Sequence, residues 1–197
     1  MRIIGGKHRG RTLTEFKGEE IRPTADRVKE SLFNVLSGGK YGIAGARVLD
    51  LFCGSGALGL ECLSRGAKEA VFNDCSKDSV AVLRANIKKL GEQERCTVFA
   101  LDYLACLSRL QGTFDIVFID PPYRYGYGAV AAEEIIRRGL LEKNGVMVYE
   151  RTEPFDNSNS ATIEVADVRK YGKTYVSLLR RRGDATGETK EARQVEK

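Results

Sequence analysis

An α/β fold, with a mostly parallel sheet covered by helices on both faces and a short β-hairpin ahead of it, is what this sequence predicts. Three observations carry that expectation. From Ala46 onward, short apolar runs alternate with amphipathic helical stretches, the rhythm of βαβ units with parallel strands. A glycine-rich turn, Cys53-Gly54-Ser55-Gly56, follows directly on the first apolar run, and open α/β sheets bind ligands at the carboxyl ends of their strands. Near the end the rhythm changes to two strand-like stretches joined around Tyr171-Gly172, a connection so tight that the pair must be antiparallel.

The elements follow in order. RIIGGKHRGRTL places a Gly-Gly turn between β-prone pieces and reads as the hairpin. Pro23-Thr24 opens a helix, with Thr24 as N-cap and Asp26 complementing the positive helix N-terminus. Val28, Leu32, Phe33, Val35 and Leu36 share one face of it, and Gly38 ends it. After a loop from Gly39 to Gly45, strands are expected at Arg47–Leu51, Ala70–Asn73, Thr97–Ala100, Phe114–Ile119 and Val146–Glu150. Helices are expected at Ala57–Arg65, Lys77–Leu90, Tyr103–Leu110 and Ala129–Leu141, with Gly66, Gly91 and Gly139 as stops. The antiparallel pair falls near Thr162–Val168 and Thr174–Arg180. From Gly183 the chain is polar, mixed in charge and reads as disordered. The expected division is a basic extension over 1–23, a main domain over 24–183 and a tail over 184–197, without internal repeats.

Composition narrows the class. The 197 residues fit one domain, which buries roughly two-thirds of its unfolded surface. A hydrophobic share of 42% and a charged share of 30% are those of an ordinary soluble protein. No apolar run approaches a membrane span, and the N-terminus has no apolar signal core. Five cysteines, an odd number without CxxC spacing, point to reduced thiols in the cytoplasm rather than disulfides or a zinc site. The net charge of +5 is modest, but its placement is informative. Residues 1–14 hold Arg2, Lys7, Arg9 and Arg11 with no acid, and residues 168–182 hold six further cations with none. Two basic segments around an acid-rich middle suit a polyanionic partner.

The glycine turn suits a nucleotide-bearing cofactor. GSGALG matches GxGxxG, with Asp74 about 20 residues beyond Gly54, a pattern that also fits a nicotinamide dinucleotide. Asp50 tilts the balance. A carboxylate just before the glycines repels a pyrophosphate and suits an ammonium and a sulfonium, hence S-adenosylmethionine. Phe52, Gly54, Ser55 and Gly56 form the turn itself. Asp74 would take the ribose hydroxyls, and Asp102 would accept from the adenine amine beside Tyr103. Each acid has a plainer use in a loop or as a helix N-cap.

About 65 residues later, the apolar run FDIVFID closes on Asp120-Pro121-Pro122-Tyr123. Asp-Pro is a common turn opener, yet this run after an apolar strand, downstream of a glycine turn, offers what methylation of an exocyclic amine needs. The amine lone pair is delocalised into the base. The carboxylate of Asp120 and the carbonyl of Pro121 would accept its two N–H groups and aim the lone pair at an electrophilic methyl, while Tyr123 stacks on a flipped base. Cys53 is expected to take no covalent part.

With these residues in hand, the chain resembles the class I S-adenosylmethionine-dependent methyltransferases. Within them it is similar to the RsmD type, bacterial small-subunit ribosomal RNA guanine-N2 methyltransferases. The narrower likeness rests on GGKHRGRTL, IRPTADRVKESLFNVL and LDLFCGSGALGLECLSRGA ahead of DPPY, and covers roughly residues 1–180. It implies a Rossmann-like seven-stranded sheet and methylation of N2 of one guanine in 16S rRNA, with the assembled small subunit as preferred substrate. The product would be S-adenosyl-L-homocysteine. Cofactor contacts would fall at Asp50, Gly54, Gly56, Asp74 and Asp102, and catalytic contacts at Asp120, Pro121, Pro122 and Tyr123. Asn73-Asp74 stands where the family more often has an apolar residue and Glu.

RNA contacts are expected from Lys7, Arg9 and Arg11 and from the helix start at Arg22, Thr24 and Arg27. No metal is expected, and the protein is read as a cytoplasmic monomer. Three alternatives stand beside this reading: a DNA adenine-N6 methyltransferase, for which 197 residues leave no target-recognition domain; a non-catalytic RNA-binding assembly factor; and a nicotinamide-dependent oxidoreductase.

Overall fold

The computed structural model describes residues 1–15, 23–38, 41–121, 126–158 and 160–184, with the side chains of 23–27 left aside. Seven strands form one sheet: β1 (Arg47–Asp50), β2 (Glu69–Asn73), β3 (Cys96–Phe99), β4 (Phe114–Ile119), β5 (Leu141–Arg151), β6 (Ile163–Tyr171) and β7 (Thr174–Arg181). Their order across the sheet is β3-β2-β1-β4-β5-β7-β6. The first five pair in parallel, whereas β7 runs antiparallel to both β5 and β6. The sheet is therefore mixed, not the mostly parallel one expected. The tight turn at Gly172, with φ 61°, makes β6 and β7 antiparallel. Because β7 then inserts beside β5, that contact is antiparallel as well.

Strand alternation separates two cores. Helices α1 (Pro23–Ser37), α2 (Ala57–Ser64) and α3 (Lys77–Leu90) cover one face. There Phe33, Leu36, Leu60, Leu63 and Leu83 pack with Val48, Phe72, Ile116 and Phe118. Helices α4 (Tyr103–Arg109) and α5 (Tyr127–Arg137) cover the other, where Leu107, Ala131 and Ile135 meet Leu49, Val71, Val117 and Ile119. The caps are legible in chemistry: the Ser76 side chain accepts from Ser79 N–H at 3.3 Å at the start of α3. Helix α5 begins two residues before the expected Ala129, and β5 five residues before the expected Val146.

The N-terminal stretch folds back on itself, with Ile3 N–H donating to the Arg11 carbonyl at 2.9 Å, Gly10 N–H to that of Ile3 at 2.8 Å and Leu13 N–H to that of Met1 at 2.9 Å. One isolated antiparallel bridge joins Arg2 and Thr12, and the chain between them turns through a short 3-10 segment at Gly6–His8. The turn docks closely on α2: Gly6 sits at φ +73°, and a Cβ there would lie 1.9 Å from the Ser64 carbonyl oxygen.

Glu61 is the anchor of this arrangement. Fully buried on α2, it accepts from the N–H groups of Ile4 and Gly5, each at 2.8 Å. It also meets Lys29 Nζ of α1 at 3.2 Å and Arg65 Nε at 2.8 Å. Lys29, itself 4% exposed, donates in addition to the Arg2 carbonyl at 2.5 Å. Removing one partner of such a group leaves an unpaired buried charge. Glu61→Ala should therefore lose about 3–5 kcal/mol of stability in urea titrations, with faster amide exchange at Ile4 and Gly5; a loss below about 1 kcal/mol would show that the N-terminal segment does not depend on it.

Candidate active site

Strand order reverses at β1, whose neighbours β2 and β4 lead to opposite edges. A crevice opens at such a switch point, beyond the carboxyl ends of the strands. Here it is a cavity of about 340 Å³ lined by Phe52, Asn73, Asp74, Cys75, Leu101, Asp102, Tyr103, Asp120, Pro121 and Tyr127. Six of the residues singled out in the sequence thus share one cavity: Phe52, Asp74, Asp102, Tyr103, Asp120 and Pro121. Pro122, Tyr123 and Arg22 lie outside the described residues, as do the side chains of Thr24 and Arg27.

The glycine turn is held from behind. Gly54, at φ +51°, has open space where a Cβ would stand and donates its N–H to Asp74 Oδ2 at 2.9 Å. Gly56 is packed rather than open, since a Cβ would lie 2.3 Å from Leu83 Cδ1. The Ser55 carbonyl accepts from Asn86 Nδ2 at 3.0 Å. That buried asparagine also accepts from the N–H of Thr14 at 2.7 Å and donates to its carbonyl at 3.0 Å. Asp50 turns beneath the loop, accepting from Gly59 N–H at 3.0 Å. Neither it nor Gly54, Ser55 or Gly56 lines the cavity itself. Burial lifts the Asp50 carboxyl from 3.8 to about 7, opposed by the Gly59 hydrogen bond and helped by the charge of Asp74.

Asp74 also accepts from Ser76 N–H at 2.8 Å, so both its oxygens are oriented by backbone. Asp102 does cap α4, Oδ1 accepting from Leu104 N–H at 2.9 Å, which leaves its other oxygen for a ligand. Asn73 explains its own departure from an apolar residue: its side chain donates to the carbonyls of Leu51 and Leu101 and accepts from Leu101 N–H. It ties the ends of three neighbouring strands at the cavity floor. Tyr103 is flanked by Phe52 and Tyr127, each with ring centroids 5.4 Å away. Tyr127 and Asn73 were not legible as site residues. The aromatic repeat in YRYGYG was the only available signal for Tyr127.

Asp120 ends β4, and Pro121 is pinned by α5: a Cβ on Gly128 would lie 3.1 Å from Pro121 Cγ and 2.3 Å from the Tyr149 ring. The surrounding protein pushes the Asp120 carboxyl well up from its ordinary value, and the charges of Glu150 and Asp50 push the same way. The side chain nevertheless opens onto the cavity, so water damps the rise until a ligand displaces it. Burial raises Glu150 too. Cys53 is buried, and burial followed by the charges of Asp50 and Asp74 drives its thiol far up, as suits an inert packing group.

The N-terminal cations are not brought to the cavity. Lys7 pairs with Glu92 at 2.8 Å, and Arg11 donates to the Lys89 carbonyl at 3.1 Å, both beside the C-terminal end of α3, whereas the cavity lies by its N-terminal end. Arg9 is exposed on the same segment.

Comparison with known proteins decides the family. The family model described as Conserved hypothetical protein 95 matches residues 1–180. The Escherichia coli (strain K12) protein named ribosomal RNA small subunit methyltransferase D is 42% identical over 153 residues, 76% of this chain and 71% of that one. The chain belongs to this methyltransferase family. Its Haemophilus influenzae relative of the same name is 38% identical over 78% of this chain and 79% of its own. Among solved structures, the Escherichia coli protein yhhF superposes with a TM-score of 0.78 at 33% identity, covering 92% of this chain and 97% of that one. A Podospora anserina methyltransferase solved with SAH shares the fold at a TM-score of 0.64 and 22% identity, over 81% of this chain and 82% of its own. The α/β class I methyltransferase expectation is met at the level of fold.

The raised Asp50 carboxyl has a measurable consequence. Between about pH 4 and pH 7 the folded chain holds a proton that the unfolded chain has released, so this contribution to stability is full below pH 4 and is lost as pH rises through 7. Asp50→Asn, which keeps an acceptor for Gly59, should flatten that part of a calorimetric Tm profile. Parallel profiles for the two proteins would mean that Asp50 is ionised throughout.

Proposed function

We propose that the protein transfers a methyl group from S-adenosylmethionine to the exocyclic N2 of a guanine in small-subunit ribosomal RNA, in the assembled subunit. The observation that carries this reading is that Asp120 and Pro121 open on the same cavity as Asp74, Asp102 and Tyr103. An amine-orienting group and a nucleoside-binding set thus face one another. The names of its relatives supply the RNA class, and RPTADRVKE supports the narrower guanine assignment.

Bound in this cavity, S-adenosylmethionine supplies an electrophilic methyl on a sulfonium. The residues present suit it. Asp74 offers oriented oxygens for vicinal ribose hydroxyls, Asp102 an acceptor for the adenine amine, and the Phe52–Tyr103–Tyr127 wall an apolar surface. Gly54 lets the amino-acid end approach the backbone, beside Ser55 and Gly56, and Asp50 lies beneath it, where a bound ammonium would favour its ionised form. At the target, Asp120 and the Pro121 carbonyl accept the amine hydrogens, and Pro122 and Tyr123 complete the clamp. As the N–C bond forms and the S–C bond breaks, the product nitrogen sheds a proton. Asp120, raised by its surroundings, is suited to receive it. Residues 24–183 form the catalytic domain in this reading, and residues 1–23 an extension packed on it. RNA contacts extend from exposed Arg9 to the start of α1. The protein acts as a cytoplasmic monomer.

Labelled S-adenosylmethionine, offered with small subunits lacking the modification, naked rRNA and DNA, tests the assignment. N2-methylguanosine from the subunits alone is expected; label in DNA adenine would make it an adenine-N6 enzyme, and label nowhere despite cofactor binding would make it a binding factor. Asp120→Ala should keep cofactor affinity and lose about 10²–10³-fold in methyl transfer, the cost of removing one oriented polar group. Equal loss of both would make Asp120 structural. Cys53→Ser should stay active, and inactivation of a folded variant would reveal a covalent role.

A further inference from the structure

Of the six cations in the C-terminal basic segment, four are engaged within the fold. Arg180 is 4% exposed and pairs with Glu164 at 2.8 Å. Arg181 donates to the Leu141 carbonyl at 2.9 Å, and Arg182 to the carbonyls of Ser160 and Ile163 at 3.1 and 3.0 Å. Arg169 is matched by Asp167 at 2.8 Å. What remains outward is the tip between β6 and β7, where Lys170 and Lys173 are exposed.

The register places that tip beside the target site. Ile119 pairs with Tyr149 in parallel, so Asp120 and Glu150 follow side by side, and Arg151 comes next. Arg151 pairs with Tyr175, and Tyr175 with Lys170. Directly opposed residues share a sheet face, so Arg151, Tyr175 and Lys170 form a cross-strand row with an aromatic ring between two cations. Lys170 Nζ lies 5.1 Å from the Tyr175 ring centroid, a cation–π contact that holds the ammonium beside the ring at the exposed tip. The Tyr171 hydroxyl is 2.7 Å from Ser31 Oγ, which fixes the tip against α1. Three strand spacings of about 4.8 Å put Lys170 roughly 14 Å from Asp120.

We propose that this tip, through Lys170 and Lys173 with Arg151 behind them, binds the phosphates of the rRNA strand that flanks the target guanine. The inference rests on the rRNA reading above and adds the surface that grips the substrate. The cavity itself is acidic, so the polyanion must be held outside it. The tip supplies positive charge at the same end of the sheet, already ordered before RNA arrives.

The test compares the unaltered protein with a Lys170→Ala, Lys173→Ala double variant and a Lys→Arg control at both positions. Binding to a small-subunit rRNA fragment is measured across salt concentration, alongside methyl transfer to the subunits. Each lost contact should make the log–log salt slope shallower by about 0.7, and two should weaken binding about tenfold at 0.15 M salt. KM for the subunits should rise with kcat, cofactor affinity and Tm unchanged, and the arginine control should restore binding. An unchanged affinity and slope in the alanine variant would overturn the proposal. The binding arm needs no turnover. Lysine-dependent binding without any methyl transfer would defeat the catalytic reading alone, and methyl transfer with an unchanged slope would defeat this one alone.

Discussion

A single carboxylate hidden from solvent holds the fold together where three separate pieces of chain converge. Glu61 satisfies the backbone N–H groups of Ile4 and Gly5, a lysine of α1 and the arginine that follows its own helix. Since α2 begins at the glycine turn, whatever fixes α2 also fixes that turn at its other end. A second tie does the same from α3, where Asn86 bridges the Ser55 carbonyl and Thr14. The glycine turn is thus braced on both sides by buried polar groups, each with its partners present. Such fully satisfied networks rigidify what they connect.

Charge is segregated around that braced loop. Asp50, Asp74, Asp102, Asp120 and Glu150 gather at the carboxyl ends of the strands, a composition that favours cations and hydrogen-bond donors. Exposed lysines occupy the β6–β7 tip beyond it. A substrate that is anionic along its backbone but presents amine hydrogens at its base edge matches both zones at once. Burial holds Asp50, Asp120 and Glu150 above their ordinary range, with the charge of Asp74 adding to it at Asp50 and those of Glu150 and Asp50 at Asp120.

Much of this was legible in the sequence, and the exceptions have physical causes. Phe114–Ile119 is read to the residue because a strongly apolar run, interrupted only by Asp115, is bounded by Thr113 and Asp120. The position of β7 inside β6 is not legible, since local periodicity says nothing about which edge a strand joins. In the N-terminal segment Gly-Gly reads as a turn, but local sequence does not reveal that Gly6 also serves close approach to α2. Counting cations cannot reveal that Arg180, Arg181 and Arg182 already have partners. Asn73 reads as the polar end of a strand, and only the adjacency of three strand ends reveals it as their tie.

The pairing of the N-terminal segment with α2 and α3 also orders events during synthesis. Ile4 and Gly5 wait for Glu61, 57 and 56 residues later, Thr14 for Asn86, 72 residues later, and His8 for Glu92, 84 residues later. Residues 4–14 therefore lack most of their docking surface until Glu92 has been made. Chains grow at about 5–20 residues per second, so this positively charged stretch spends several seconds unplaced before the half-built sheet can claim it.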